Sequence, residues 1–136
     1  MNRRSEATAP SAWQSQHEPQ AEAAGAGAVT ETPHVQSLDA AEESREFELG
    51  RVDLIRLGGI SFDRVTFAPG WRWSEHAGHG GSCQERHLGY LISGHMRFRM
   101  DDRTQIDAEA GDVYLIPPGH DAWVVGSEPC VALDLG

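Results

Sequence analysis

One stretch of the chain concentrates the residue types that bind metals and move protons. Between Pro69 and Gly94, the side chains that could serve as ligands, acids or bases are Glu75, His76, His79, Cys83, Glu85 and His87. Imidazole, thiolate and carboxylate groups are the ligands that transition metals take in proteins. The stretch therefore predicts a metal site, provided that the fold turns several of these side chains toward one point.

Alternation along predicted strands decides which of these side chains could meet, since successive residues of a strand point to opposite faces. Arg72 shares a face with His76 in one predicted strand, WRWSEH, and Glu85 shares a face with His87 in the next, CQERHLGYLIS. Facing side chains of this kind would let Arg72 hold a substrate carboxylate or phosphate and let Glu85 act as a general base.

The elements that must position these residues are short strands. After about residue 45, apolar alternation is broken by Gly, Pro and Asp pairs, which predicts about eight strands in an all-β sandwich or barrel. FELGRVDLIRL is predicted as one strand that ends at a Gly58-Gly59 turn, and HMRFRM and TQIDAE as a hairpin. A change of apolar phase at Asp63 and Arg64 predicts a β-bulge in the strand ISFDRVTF.

Composition excludes several classes of function. The 136 residues, 39% hydrophobic and 24% charged, fit one globular domain. Acidic residues outnumber basic ones by 21 to 11, for a formal charge of −10, and no basic run is present. Nucleic acid is therefore not an expected partner. All eleven basic residues are arginines, so Schiff-base chemistry on a lysine is excluded.

The first 45 residues are rich in Ala, Glu, Gln, Ser, Pro and Gly, which predicts a disordered acidic tail before a domain over residues 46–136. Within the tail, SLDAAEESREF could form a short helix with Ser37 as its N-cap. Two cysteines without a paired spacing, and no apolar run for a signal peptide or membrane span, predict a cytoplasmic protein with no membrane partner.

Two motifs carry a family resemblance. Gly70 and His76, with five residues between them, and His87 and Gly94, with six, resemble the first motif of the cupin family, G-x5-H-x-H-x3–4-E-x6-G. His87 stands where that motif has its glutamate, and the second histidine of the motif falls at Gly78. The usual four-ligand set is therefore incomplete in this stretch.

The second cupin motif, G-x5-P-x-G-x2-H, is matched by Gly111, Pro117 and Gly119. Its histidine falls at Ala122, whereas His120 lies two residues earlier and on the same side of a strand. The imidazole of His120 could therefore point into the cavity where the motif's own histidine would point.

The resemblance implies a small single-domain cupin, built as a double-stranded β-helix (jelly-roll) barrel. It implies a metal site formed by His76, His87 and His120, with a divalent transition metal as cofactor. Zinc or iron is favoured, and manganese, nickel and copper are compatible. It also implies a small-molecule substrate or ligand and a homodimer paired through barrel edges.

Several roles stay open at this point. The histidines could instead be hydrogen-bonded fillers at a barrel mouth, and Arg72 could pair with Glu75, Glu85 or Asp121. Candidates for a further ligand are Glu85, His79 and Cys83. Cys130 is expected in the core, and Trp71, Trp73 and Trp123 could line a pocket or a dimer face, or simply pack.

Two function classes follow from the resemblance. The first is a metal-dependent enzyme that acts on a small organic molecule, as dioxygenase, isomerase, lyase, decarboxylase, epimerase or biosynthetic tailoring enzyme, with Glu85 and Arg72 as the predicted catalytic residues. The alternative is a non-catalytic module that senses a small ligand or a metal. A fold alone does not choose between them.

Overall fold

Nine strands and two short helical turns make up the part of the chain that this computed structural model describes, residues 32–136. Residues 35–136 form one compact unit. A 3₁₀ turn at Leu38–Ala40 and one α-helical turn, α1 (Trp73–His76), accompany the strands. The strands are β1 (Glu43–Phe47), β2 (Gly50–Leu57), β3 (Ile60–Phe67), β4 (His87–Ser93), β5 (His95–Met100), β6 (Gln105–Glu109), β7 (Val113–Ile116), β8 (His120–Val124) and β9 (Cys130–Leu135).

The strands form two antiparallel sheets. The larger sheet has the order β1-β2-β3-β9-β4-β7, and the smaller has the order β6-β5-β8. Chain neighbours therefore pair as hairpins at β1-β2, β2-β3 and β5-β6, whereas β9 inserts between β3 and β4. The predicted all-β fold is confirmed.

The core lies between the inner faces of the two sheets, where alternate strand residues carry apolar side chains. Its buried members are Trp71, Leu91, Met96, Phe98, Ala108, Ile116, Ala122, Val124, Cys130 and Ala132. Cys130 is fully buried, as predicted. Burial raises the pKa of its thiol to about 11, so this cysteine behaves as a small apolar residue.

The prediction of a strand over WRWSEH is wrong, because this stretch turns into α1 after Arg72. Its helical turn is held by the carboxylate of Asp121, which accepts hydrogen bonds from the Ser74 backbone N–H at 2.9 Å and the Ser74 hydroxyl at 2.8 Å. A side-chain carboxylate that caps a first turn in this way favours helix over strand. The capping residue comes from β8, 47 positions further along the chain.

Two further strand predictions need correction. FELGRVDLIRL is divided between β1 and β2, because Leu49 adopts a positive φ of 61° in the turn between them. β3 pairs in unbroken register with both β2 and β9, so the bulge predicted at Asp63 and Arg64 is absent. The register shift lies instead in β4, between Leu91 and Ser93.

The predicted strand CQERHLGYLIS begins only at His87, and residues 83–86 form an extended approach to it. The Gly58-Gly59 turn and the β5-β6 hairpin are confirmed.

Ser37 caps a helical turn as predicted, but that turn has three residues and the chain then enters β1 at Glu43. Residues 1–31, which contain most of the predicted disordered tail, lie outside the described residues. Among the described helices, none has the length and apolar character needed to cross a membrane.

Candidate metal centre

A cavity of about 490 Å³ opens between the two sheets. Most of its wall is apolar, and its polar side chains are confined to a few positions. It is lined by Arg45, Phe47, Val65, Phe67, Trp71, Trp73, Ala77, Cys83, Glu85, His87, Leu91, Met96, Phe98, Tyr114, His120, Ala122, Ala132 and Asp134. This volume lies within the range of about 300–1,000 Å³ that is usual for small-molecule sites.

Three potential metal ligands meet in the cavity: Cys83, His87 and His120. One donor atom from each lies within 4.8 Å of the other two. The Cys83 Sγ atom lies 3.5 Å from His87 Nε2, and the His87 and His120 ring centroids are 5.1 Å apart. Within the described chain, no other group of three or more His, Cys, Asp or Glu residues has this geometry.

His87 is oriented by a carboxylate behind it. Its Nδ1 lies 3.1 Å from Asp134 Oδ2, and the Tyr114 hydroxyl donates to Asp134 Oδ1 at 2.5 Å. The hydrogen bond to Asp134 raises the pKa of His87, although burial opposes the shift. With a proton on Nδ1, the Nε2 lone pair faces Cys83. Gly89 leaves the space for the Tyr114–Asp134 contact, since a Cβ there would lie 2.5 Å from the Tyr114 hydroxyl.

His120 is fixed by the backbone. It is 2% exposed, and its Nδ1 donates to the Pro117 carbonyl at 2.7 Å. Burial lowers the pKa of His120, which favours the neutral ring. Carbonyl and carboxylate partners on the far nitrogen are the usual companions of metal-binding histidines, because they fix both tautomer and ring direction. Both histidines of the cluster therefore present Nε2 as an available ligand atom.

Cys83 completes the cluster from the loop before β4. An isolated bridge joins it to His120, with the Cys83 N–H donating to the His120 carbonyl at 2.7 Å. Its side chain is buried, and burial raises the pKa of the thiol, against a hydrogen bond from the Glu85 backbone N–H. A metal would reverse this protonation preference, since a coordinated cysteine binds as thiolate.

The donor set fits a transition metal. Zinc with one sulfur ligand at about 2.3 Å and two nitrogen ligands at about 2.0–2.1 Å would separate tetrahedral donors by roughly 3.3–3.8 Å. The observed Sγ–Nε2 separation of 3.5 Å falls in that range, and the remaining separations stay under 4.8 Å. Three protein ligands would leave a fourth coordination position for water or a substrate.

The structure brings His87 and His120 together, as the sequence predicts, but it places His76 outside this cluster. His76 lies on α1, where its Nδ1 accepts from the Arg72 N–H at 3.0 Å. Arg72 does not line the cavity either. Its Nε donates to Asp121 at 2.9 Å, and its guanidinium lies 4.0 Å from the centre of the Trp123 ring. The metal role of His76 and the catalytic role of Arg72 stay predictions.

Glu85 lies on the cavity wall, two residues after Cys83, with an exposed side chain. Its catalytic role also stays a prediction. Sequence reasoning missed Asp134 and Tyr114. Asp134 and Tyr114 belong to inner faces of β9 and β7, and period-two alternation with Ala132 and Ile116 was the available signal.

A scan against protein families matches the cupin domain over residues 63–136, more than half of the chain. The chain belongs to the cupin family. No curated protein sequence matches this cupin.

Solved structures share the fold. Oxalate decarboxylase from Bacillus subtilis, in a structure at pH 4.6, has 23% identity and a TM-score of 0.53 over 79% of this chain and 32% of its own. A protein from Neisseria meningitidis has 14% identity and a TM-score of 0.52, over 76% of this chain and 98% of its own. A Vibrio parahaemolyticus protein of unknown function has 8% identity and a TM-score of 0.53. The present cupin spans about a third of the length of the oxalate decarboxylase chain.

Proposed function

We propose that this cupin binds a divalent transition metal through Cys83, His87 and His120 and acts there on a small organic molecule. One observation carries the proposal: three ligand atoms converge at one point of a largely apolar cavity, with both imidazoles oriented from behind. One thiolate and two imidazoles suit zinc or iron better than manganese, which prefers oxygen ligands.

When bound, such a metal supplies an electrophilic centre that polarises an oxygen atom of a substrate. The chain's own residues have separate tasks. The Asp134 carboxylate holds the His87 proton on Nδ1, and the Pro117 carbonyl does the same for His120. Glu85, on the wall with an exposed carboxylate, takes or returns a proton.

Metal analysis tests this proposal directly. Full-length protein purified without a histidine tag is loaded with cobalt(II), dialysed and assayed for metal content and for thiolate-to-cobalt charge-transfer absorption. We expect about one equivalent with that absorption. Cys83→Ser removes the absorption, whereas Cys130→Ala retains it because Cys130 is outside the cluster. His79→Asn is the matched histidine control, since His79 is exposed and its φ of 49° suits asparagine. Less than about a tenth of an equivalent in the wild type would contradict the site.

The non-catalytic sensing module is separated from the enzyme by turnover. An enzyme consumes a small-molecule substrate after metal loading, and the Glu85→Gln variant binds metal but loses turnover. A sensor binds ligand or metal without consuming it. Turnover by the metal-loaded wild type therefore decides for the enzyme, and its loss in Glu85→Gln at full metal content assigns the proton transfer to Glu85.

A second candidate function rests on a different feature of the same residues. The Cys83 Sγ atom, the His87 ring and the Asp134 carboxylate form a chain with contacts of 3.5 and 3.1 Å. A nucleophile, a base and an orienting acid in this order are the arrangement of a cysteine hydrolase. Rapid alkylation of Cys83 by iodoacetamide in metal-free protein, slowed strongly by His87→Ala, would favour this function. Burial raises the pKa of the Cys83 thiol, which opposes formation of a nucleophilic thiolate in metal-free protein.

We also propose a homodimer as the partner. The outer face of the larger sheet exposes apolar side chains around the β7 edge, namely Leu88, Tyr90, Ile92, Val113, Leu115 and Leu135. Contiguous apolar surface of this kind is typical of an interface. Val113→Glu should shift the sedimentation coefficient from dimer to monomer, whereas Ile106→Glu, on the other sheet, should not. A monomeric wild type would exclude the dimer.

A further inference from the structure

We propose that the molecule bound at this site has an aromatic or other apolar body and a single oxygen-bearing head group. This inference rests on the proposed metal function, because the head group is the part that the metal would hold. It excludes small dianions such as oxalate as the preferred ligand, although an oxalate decarboxylase shares the fold.

The aromatic side chains of the cavity form two walls. One wall runs from Phe47 to Phe67 and then to Trp71, with ring centroids 6.2 and 4.3 Å apart. The other joins Tyr114, Phe98 and His120, with centroid distances of 5.4 and 6.2 Å. The second wall ends at a proposed metal ligand, so a ring placed between the walls would keep its head group near the metal.

Small residues make the space between these walls. Ala77, Ala122 and Ala132 line the cavity, and Val65 lies opposite Ala132 in the β3-β9 register. The space of about 490 Å³ exceeds what a two-carbon acid would fill. An apolar body that fills it gains by leaving water, whereas a small anion would leave most of the wall uncovered.

The charges of the cavity do not favour a dianion. Its charged residues are Arg45, Glu85 and Asp134, of which two are acidic. The one guanidinium, Arg45, is 68% exposed and pairs with Glu43 at 3.6 Å. Asp134 is engaged by His87 and Tyr114. Only the metal would remain to balance a ligand's charge, and one carboxylate or ketone oxygen is enough for one open position.

Calorimetric titration of zinc-loaded, full-length protein tests the inference with phenylacetate, acetate and oxalate as probes. We expect phenylacetate to bind at least about tenfold more tightly than acetate or oxalate, because burial of a phenyl ring adds a large apolar contribution. Equal or tighter binding of acetate or oxalate would overturn it, as would no measurable binding of phenylacetate.

Filling the cavity supplies the second measurement. Val65→Phe and Ala132→Leu should each weaken phenylacetate at least about tenfold while thermal melts show folded protein. Ala110→Leu, an exposed alanine, is the matched control and should bind like the wild type. Wild-type phenylacetate affinity in both filled variants, once folded, would also overturn the inference.

Metal content measured on the same samples keeps the two proposals apart. Full metal content with a preference for oxalate overturns the apolar ligand and leaves the metal site standing. Phenylacetate binding to protein that takes up no metal overturns the metal site and supports the apolar body.

Discussion

Two neighbouring residues of β8, His120 and Asp121, organise two polar clusters that differ in what they leave unpaired. His120 points into the cavity and meets Cys83 and His87, and the free imidazole nitrogens and the sulfur face one another. Asp121 points the other way and accepts from Arg72, from the Ser74 N–H and hydroxyl, and from the Ala122 N–H.

The difference indicates that the Asp121 cluster stabilises the fold, whereas the cavity cluster is built to bind a ligand. In the Asp121 cluster both carboxylate oxygens are occupied, and those hydrogen bonds lower the pKa of Asp121 although burial alone would raise it. Because both carboxylate oxygens already accept hydrogen bonds, Asp121 is not available to bind a ligand. Its role is to hold α1 against β8. In the cavity cluster, Asp134 and the Pro117 carbonyl engage only the Nδ1 atoms of the two histidines. The Nε2 atoms and the Cys83 sulfur remain available to bind a metal. The following substitutions test that contrast.

The largest effect is expected for the metal ligands. His120→Ala should lower cobalt content from about one equivalent to less than about a tenth, because two ligands rarely retain a transition metal through dialysis. His76→Ala should retain it, since the cluster does not include His76. Metal analysis of both variants is the measurement. Metal loss in His76→Ala with a native melt would restore the three-histidine site predicted from the sequence.

Removal of the carboxylate behind His87 should have the next largest effect. Asp134→Asn weakens the hold on the His87 tautomer, and we expect metal affinity to fall by about 10–100-fold. Competition with a metal-sensitive dye measures it. Asp102→Asn, in the exposed β5-β6 turn, is the control. An unchanged affinity in Asp134→Asn would mean that Asp134 does not orient a ligand.

The Asp121 cluster should respond in stability. Asp121→Ala leaves the Ser74 N–H without its acceptor and removes the partner of Arg72, and we expect a loss of about 1–3 kcal/mol in the free energy of unfolding. Urea denaturation measures it. Folded Asp121→Ala protein should still bind about one equivalent of cobalt. A variant that keeps wild-type stability would show that α1 does not depend on this carboxylate.

The smallest effect is expected in the exposed cluster formed by Asp107, Arg97 and His95. Hydrogen bonds from Arg97 and then His95 lower the pKa of Asp107 to about 2, from 3.8. Because the folded pKa is depressed, the stabilisation is present above about pH 4 and is lost as pH falls toward 2.

At pH 7, Asp107→Asn should therefore cost no more than about 1 kcal/mol, since the pair is partly solvated. This difference from wild type should shrink between pH 4 and 2 in urea denaturation. Glu128→Gln, at an exposed position, is the control. A difference that grows on acidification would contradict the assignment.

The all-β class and most of the strands could be predicted because hydrophobic alternation and Gly/Pro spacing are local signals. The prediction of His87 and His120 as metal ligands came from their positions relative to the two cupin motifs. The α1 turn could not be predicted in this way, because it is capped by Asp121, which is distant in the chain. The contribution of Cys83 depends on its backbone bridge to His120, and that of Asp134 on β9 lying beside β4 in the larger sheet. These are tertiary pairings, which a local pattern does not encode.

His87 lies on β4 of the six-stranded sheet, whereas His120 lies on β8 of the three-stranded sheet. A coloured ion held by both would fasten the two halves of the sandwich to each other. Its absorption would fade when the halves slide apart, even if each kept its own hydrogen bonds. The absorption of the bound ion would therefore report, during unfolding, whether the two sheets are still packed together.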